Sequence, residues 1–191
     1  MNPTACAVFL MLSFVLAGVC QTIWLRCELS KRFMIPIDLW MTYRGIRVFG
    51  DNKTLRGFIV MIPAAAGIFF LLRVLSSHSI VLNRLLWALS PYEYALLGLW
   101  AGLGFMLGEL PNSFIKRQLG IAPGTLPAQK HLRALFLVVD RTDSIAGMLI
   151  AVSLAVPVPW ETWLYIALLG PVIHLLFSIG LYRGGVKTTM L

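Results

Sequence analysis

Five apolar runs dominate this chain, and each approaches the roughly 20 residues that an α-helix needs to cross about 30 Å of hydrocarbon. They are Ala5–Leu25, Gly57–Leu75, Tyr92–Leu110, Ser144–Val158 with an apolar lead-in at Leu132–Val139, and Trp163–Leu181. Pro157 and Pro159 shorten the fourth run, and Asp140, Arg141 and Asp143 stand near its start. A backbone in lipid must satisfy its own hydrogen bonds, so such runs become helices. Only 13% of residues are charged and 59% are hydrophobic, against about a quarter charged in ordinary soluble chains. The expectation is an all-α integral membrane protein with about five transmembrane helices, forming a single membrane domain over 1–191.

The first run is read as a retained helix. Met1–Thr4 carries no Lys or Arg, no small-x-small cleavage site follows, and Val19 before Cys20 spoils a lipoprotein-type site. Cys6, Cys20 and Cys27 are odd in number and lack CxxC spacing, so they read as packing residues, not as a disulfide framework or a zinc site. Lys and Arg orient membrane proteins by staying cytoplasmic. Fourteen of the sixteen fall in the loop 26–56, the loop 111–143 and the tail with Arg183 and Lys187, while Arg73 and Arg84 lie toward the other side. The amino terminus is therefore expected outside and the carboxyl terminus in the cytoplasm, with the two cytoplasmic loops forming the site. The net charge of +8 carries no nucleic-acid motif with it, so nucleic acid is not an expected partner. Anionic membrane lipids account for most of it.

Charges inside such a chain are costly unless something uses them. Asp140 and Asp143 are three apart in Asp140-Arg141-Thr142-Asp143, which places both carboxylates on one helix face, able to hold one divalent cation. Capping of a helix amino terminus is the structural alternative. Glu109 is a third candidate ligand, with a snorkelling interfacial glutamate as its alternative. Lys116 and Arg117 lie upstream. In Lys53-Thr54-Leu55-Arg56-Gly57, two bases and a small hydroxyl meet the amino-terminal end of a span, where free N–H groups attract anions. An ordinary basic helix border explains the same residues. Mg²⁺ suits the acids, because it is held by one or two carboxylates together with phosphate oxygens and water.

Together these residues resemble the CTP-dependent cytidylyltransferases that make CDP-activated lipids, namely the phosphatidate cytidylyltransferases and the shorter archaeal CDP-archaeol synthases. Gly108-Glu109-Leu110, Ser113, Lys116-Arg117, Gly120-Ile121 and Asp140-Arg141-Thr142-Asp143-Ser144 match the carboxyl-terminal signature, and Lys53–Gly57 matches the KTxRG element of the archaeal branch. The family usually has Asp where Glu109 stands and often Glu where Asn112 stands. The stretch Ala122–Val139, with Pro127, Lys130 and His131, is longer than the glycine-rich turn of the phosphatidate enzymes. The resemblance implies attack of a lipid phosphate on the α-phosphorus of CTP, giving a CDP-lipid and pyrophosphate. It further implies Asp140, Asp143 and Glu109 at Mg²⁺; Lys53, Thr54, Arg56, Ser113 and Arg141 at phosphates or nucleotide; and Lys116 and Arg117 in catalysis.

Two rival classes stand beside this one: a CTP-dependent lipid-alcohol kinase, which releases CDP, and a non-catalytic membrane protein, which needs none of the acids. His78 and His174 have no partner at metal spacing and read as packing residues, while His131 shares the site's side. Gly98, Gly102 and Gly104 permit close helix contact, within the chain or in a homo-oligomer.

Overall fold

The computed structural model describes residues 1–125 and 127–183; Lys187 and the carboxyl terminus lie outside the described residues. Five long helices run back and forth: α1 Pro3–Arg26, α2 Leu55–Ser77, α4 Pro91–Gln118, α5 Lys130–Ala155 and α6 Trp160–Arg183, with a short α3 at Ile80–Leu85. Between α1 and α2 lie a 3₁₀ turn at Glu28–Phe33 and a two-stranded hairpin, β1 Thr42–Tyr43 and β2 Ile46–Arg47, the only sheet among the described residues. The expected all-α membrane architecture is present. Four of the helices, α1, α2, α4 and α6, are long and apolar enough to cross a membrane. The fifth, α5, is as long, but its first half carries Lys130, Arg133, Asp140, Arg141 and Asp143.

The expected loop 111–143 is mostly helix. α4 continues to Gln118 and α5 begins at Lys130, so only 119–129 connects them. The charges that end the apolar runs do not end these helices: each projects past its apolar part, where Asp140 and Asp143 of α5 meet Lys116 and Asn112 of α4. Helix starts follow local chemistry. Ser90 and Glu93 form a reciprocal capping box, with Pro91 at the first helical position. Asn2 caps α1 by accepting from the Ala5 N–H at 3.1 Å.

α4 is the central helix, and glycine lets it be so. Gly98 and Gly102 lie against Ala65, Phe69 and Ile62 of α2. Gly104 and Gly108 lie against Gly147, Ala151 and the Asp143 carbonyl of α5. At 3.6 residues per turn the two glycine pairs face directions about 120° apart, so α4 takes a neighbour on each side with backbones nearly touching. The three glycines proposed for close contact are all used inside the chain.

The end away from the charges is aromatic. Phe9 meets Phe69 and Tyr94 edge-on at 5.1 and 5.2 Å between ring centres, with Trp87 behind them. Arg73 is buried here at 8% exposure, with its guanidinium 5.2 Å from the Tyr94 ring and its Nε donating to the Leu89 carbonyl. The perimeter is apolar and exposed at Leu71, Leu96, Leu168 and Leu176, as a lipid-facing surface requires.

Gly108→Val places a side chain against the Asp143 backbone and is expected to lower the thermal midpoint, at a cost of about 1–3 kcal/mol. Gly67→Ala, where an added Cβ meets nothing within 4 Å, leaves the midpoint unchanged or raised by up to about 1 kcal/mol. A thermal unfolding series in one detergent measures both.

Candidate active site

The α4 face that carries Gly104 and Gly108 continues, at steps of four, through Asn112 to Lys116. The facing stripe of α5 runs from Gly147 back through Asp143 to Asp140. The close crossing therefore sets the distance at which polar groups meet where the helices leave their apolar parts. Asn112 Nδ2 donates to Asp140 Oδ1 at 2.6 Å and to Asp143 Oδ2 at 2.8 Å. Lys116 pairs with the Asp140 carboxylate and lies 5.4 Å from the centre of the Phe136 ring. Glu109 receives the Ser144 hydroxyl on Oε1 at 2.9 Å and pairs through Oε2 with Lys53, which arrives from the loop before α2. Three acids, linked through Ser144 and Asn112 and ended by a lysine on each side, thus form one network across α4, α5 and the α1–α2 loop.

This network lines a cavity of about 410 Å³. Of the expected residues, Lys53, Glu109, Ser113, Lys116, Arg117, Asp140, Arg141 and Asp143 all face it. Ser113 gives its hydroxyl to the Glu109 carbonyl, and Arg141 donates to the Leu137 carbonyl at 2.8 Å. Arg117 is buried and holds the Ile121 carbonyl, while its Nε has no partner among the described residues.

Thr54 and Arg56 are placed elsewhere. Thr54 stands at the N-cap of α2 without a side-chain capping bond. Arg56 donates from Nε to Ser30 Oγ at 2.8 Å and holds the Leu25 carbonyl at the end of α1. Lys53 precedes the N-cap Thr54 and lies outside the helix, so the i, i+3 spacing that would bring it beside Arg56 does not hold, and the two diverge. Lys53 goes to the cavity and Arg56 locks α2 to α1.

Three contributions escaped sequence reasoning. His174 lines the polar cavity and also an adjoining apolar cavity of about 280 Å³ between α1, α4, α5 and α6. Glu109 and Ser178 line both as well. Asn112, 7% exposed, ties the two aspartates together. No spacing rule flags an asparagine for that role.

Asp38 is the third. Fully buried in the loop, it accepts from Arg47 Nη2 at 2.7 Å and from the Phe49, Gly50 and Trp40 backbone N–H groups at 3.0, 3.2 and 3.2 Å. It organises a chain path with positive φ at Leu39, Trp40, Arg44 and Gly45. Gly50, at φ +84°, then turns the backbone against Pro123 and Arg117, bringing Asn52 and Lys53 to the cavity. The Asp38 network is thus the support of Lys53. Burial alone pushes the Asp38 carboxyl up, but Arg47 and the three N–H groups outweigh it and hold it at about 2.

The cavity's chemistry suits a hard divalent cation bound with phosphates. Among the described residues no group of three or more His, Cys, Asp and Glu side chains is arranged as a metal cage. Asp140 and Asp143, bridged by one amide, offer two carboxylates, which is the protein share Mg²⁺ takes when phosphate oxygens supply the rest. Lysines and arginines around them fit the phosphates.

Because the folded pKa of Asp38 lies below the ordinary 3.8, its stabilisation is fully present above about pH 4 and is lost as pH falls toward 2. About 2 kcal/mol is expected to disappear over that window, read as loop opening by Trp40 fluorescence. Asp38→Ala removes it at neutral pH, exposes the 38–53 segment to protease and weakens whatever binding depends on Lys53.

A family model for CarS-like CDP-archaeol synthases matches residues 32–191. The chain is 31% identical over 160 residues to a CDP-archaeol synthase of Thermofilum pendens, covering 82% of this chain and 67% of that one. It is 33% identical over 159 residues to a CDP-archaeol synthase of Halobacterium salinarum, covering 80% and 81%. Its fold is shared, with TM-score 0.58 and 21% identity over 93% of this chain and 92% of the other, by a solved structure of an intramembrane enzyme for archaeal membrane lipids biosynthesis. With the family model matching residues 32–191 and two thirds or more of each relative's chain aligned, the chain belongs to the CarS-like CDP-archaeol synthase family.

Proposed function

We propose that the protein transfers a cytidylyl group from CTP to a membrane lipid phosphate, giving a CDP-activated lipid and pyrophosphate. The observation that carries this reading is a polar cavity of acids and bases sharing Glu109, His174 and Ser178 with an apolar cavity beside it. A nucleotide is polar throughout, whereas a lipid phosphate needs a charged end and an apolar one in continuity. Leu10, Phe14, Phe105, Ile166 and Phe177 supply that apolar end. The lipid chain lies there, and the phosphate reaches past Glu109 toward the aspartates.

A lipid phosphate oxygen forms the new bond to the α-phosphorus, and the bond from that phosphorus to the bridging oxygen of pyrophosphate breaks. Nucleophile and leaving group both carry negative charge, so the protein's work is alignment and charge compensation. Lys116, Arg117, Arg141 and Lys53 bring positive charge to the cavity wall. Asp140 and Asp143 would hold Mg²⁺, with Glu109 at the edge of that site, and the bound ion would supply Lewis-acid neutralisation of the phosphates. Ser113 stands as a hydrogen-bond donor on the nucleotide side. Arg56 acts at one remove, by tying the first turn of α2 to Ser30 and the end of α1 beside the loop that carries Lys53, while Thr54 serves as the N-cap position of α2. The cavity faces the cytoplasm, where CTP is, with the amino terminus on the other side of the cell membrane. This orientation is supported by the bases at the cavity end.

Radiolabelled CTP offered with a panel of lipid phosphates is expected to give labelled lipid and pyrophosphate; release of CDP instead would mark the lipid-alcohol kinase. Asp143→Ala is expected to lower the rate by on the order of 100-fold or more, as loss of a main electrostatic group does. A variant with wild-type CTP- and Mg²⁺-dependent turnover would remove Asp143 from the metal.

A further inference from the structure

The Asn112 amide bridges Asp140 and Asp143, beside the place where a cation held by both would sit. Its nitrogen makes both bonds, at 2.6 and 2.8 Å. Its oxygen is buried and has no partner among the described residues. A buried carbonyl-type oxygen left without a donor carries a desolvation penalty, and native structures seldom keep one without a use. The side chain is 7% exposed and lines the cavity, so solvent on the outside of the bundle does not satisfy it.

An amide's oxygen and nitrogen are nearly the same size, and a half-turn about the last side-chain torsion exchanges them within the same space. With no cation, two carboxylates require a donor between them, and the N–H groups provide it. With a cation in the gap, the same N–H groups are repelled, while the reversed amide presents an oxygen to the ion.

We propose that Asn112 is a third ligand of the cation site, binding through Oδ1 after its amide reverses, and otherwise holding the site closed with its N–H groups. The inference rests on the proposed cytidylyl-transfer reading of this cavity. It accounts for a neutral side chain standing beside two acids, with one amide nitrogen 2.6 and 2.8 Å from the two carboxylates. A neutral third oxygen adds a ligand without adding a third negative charge to repel the CTP phosphates.

Mn²⁺, a paramagnetic substitute for Mg²⁺, tests this in the full-length protein in detergent, alone and with CTP but without lipid acceptor. The chain has four asparagines, of which Asn52 and Asn112 line the cavity. In protein grown on ¹³C-asparagine, electron–nuclear double resonance is expected to show a ¹³C coupling to bound Mn²⁺ that persists in Asn52→Ser and vanishes in Asn112→Asp. Asn112→Leu is expected to weaken Mn²⁺ binding by about 10- to 100-fold. Asn112→Asp, which keeps an oxygen and loses the N–H donors, binds at least as tightly as wild type.

Absence of the ¹³C coupling in wild-type protein that binds Mn²⁺ overturns the inference even if a variant fails to fold. So does Asn112→Leu binding within twofold of wild type, or Asn112→Asp binding as weakly as Asn112→Leu. Wild-type protein that binds no Mn²⁺ under either condition overturns it too. CDP-lipid formation by the wild type, assayed separately, reports on the parent reading alone.

Discussion

Close contact between α4 and α5 is the constraint from which the site follows. An added Cβ on Gly104, Gly108 or Gly147 would overlap the backbone of the opposite helix. Side chains of ordinary size would hold the axes at 8–10 Å, whereas glycine lets the backbones touch. One turn beyond Gly108, that spacing lets the short side chain of Asn112 span both aspartates and the longer Lys116 reach Asp140. The acids on α5 are tolerable in so apolar a bundle because α4 supplies donors at this separation. Packing and electrostatics are therefore one arrangement.

The molecule is graded along its length. At one end Phe9, Phe69, Tyr94 and Trp87 form an aromatic plug, with the Arg73 charge covered by a ring and a carbonyl. At the other end, charges alternate around a cavity. Between them lies the apolar cavity, which shares Glu109, His174 and Ser178 with the polar one. Both substrates of the proposed transfer thus meet at Glu109, His174 and Ser178 without either crossing an environment it disfavours.

Much of this was legible in the residues. Apolar runs located the long helices, and Asp140 and Asp143 at a spacing of three predicted a shared face, which they have. Helix extents were less legible, because charge normally marks the end of a span. α5 begins at Lys130, well before its apolar part, and of its charges Asp140 and Asp143 find partners on α4. Lys53 and Arg56 read as one phosphate cradle, yet the turn into α2 sends them to different places. Asp38 carried no motif; its value lies in three backbone N–H groups brought to it by a chain path with several positive φ angles. His174 looked like packing because its importance is a position between two cavities.

What the amino-acid order determined alone is the class of object: helices forced by lipid to satisfy their own backbones, a basic end, and a family signature dense enough to assign the chemistry. Those properties depend on composition and local spacing, which physics reads along one dimension. The tertiary structure alone decided which charges neutralise one another, which of two neighbouring bases faces the cavity, and that Asn112 stands between the acids. Such pairings depend on distances between residues far apart in the chain, and Coulombic and hydrogen-bond energies vary steeply with distances that helix packing sets.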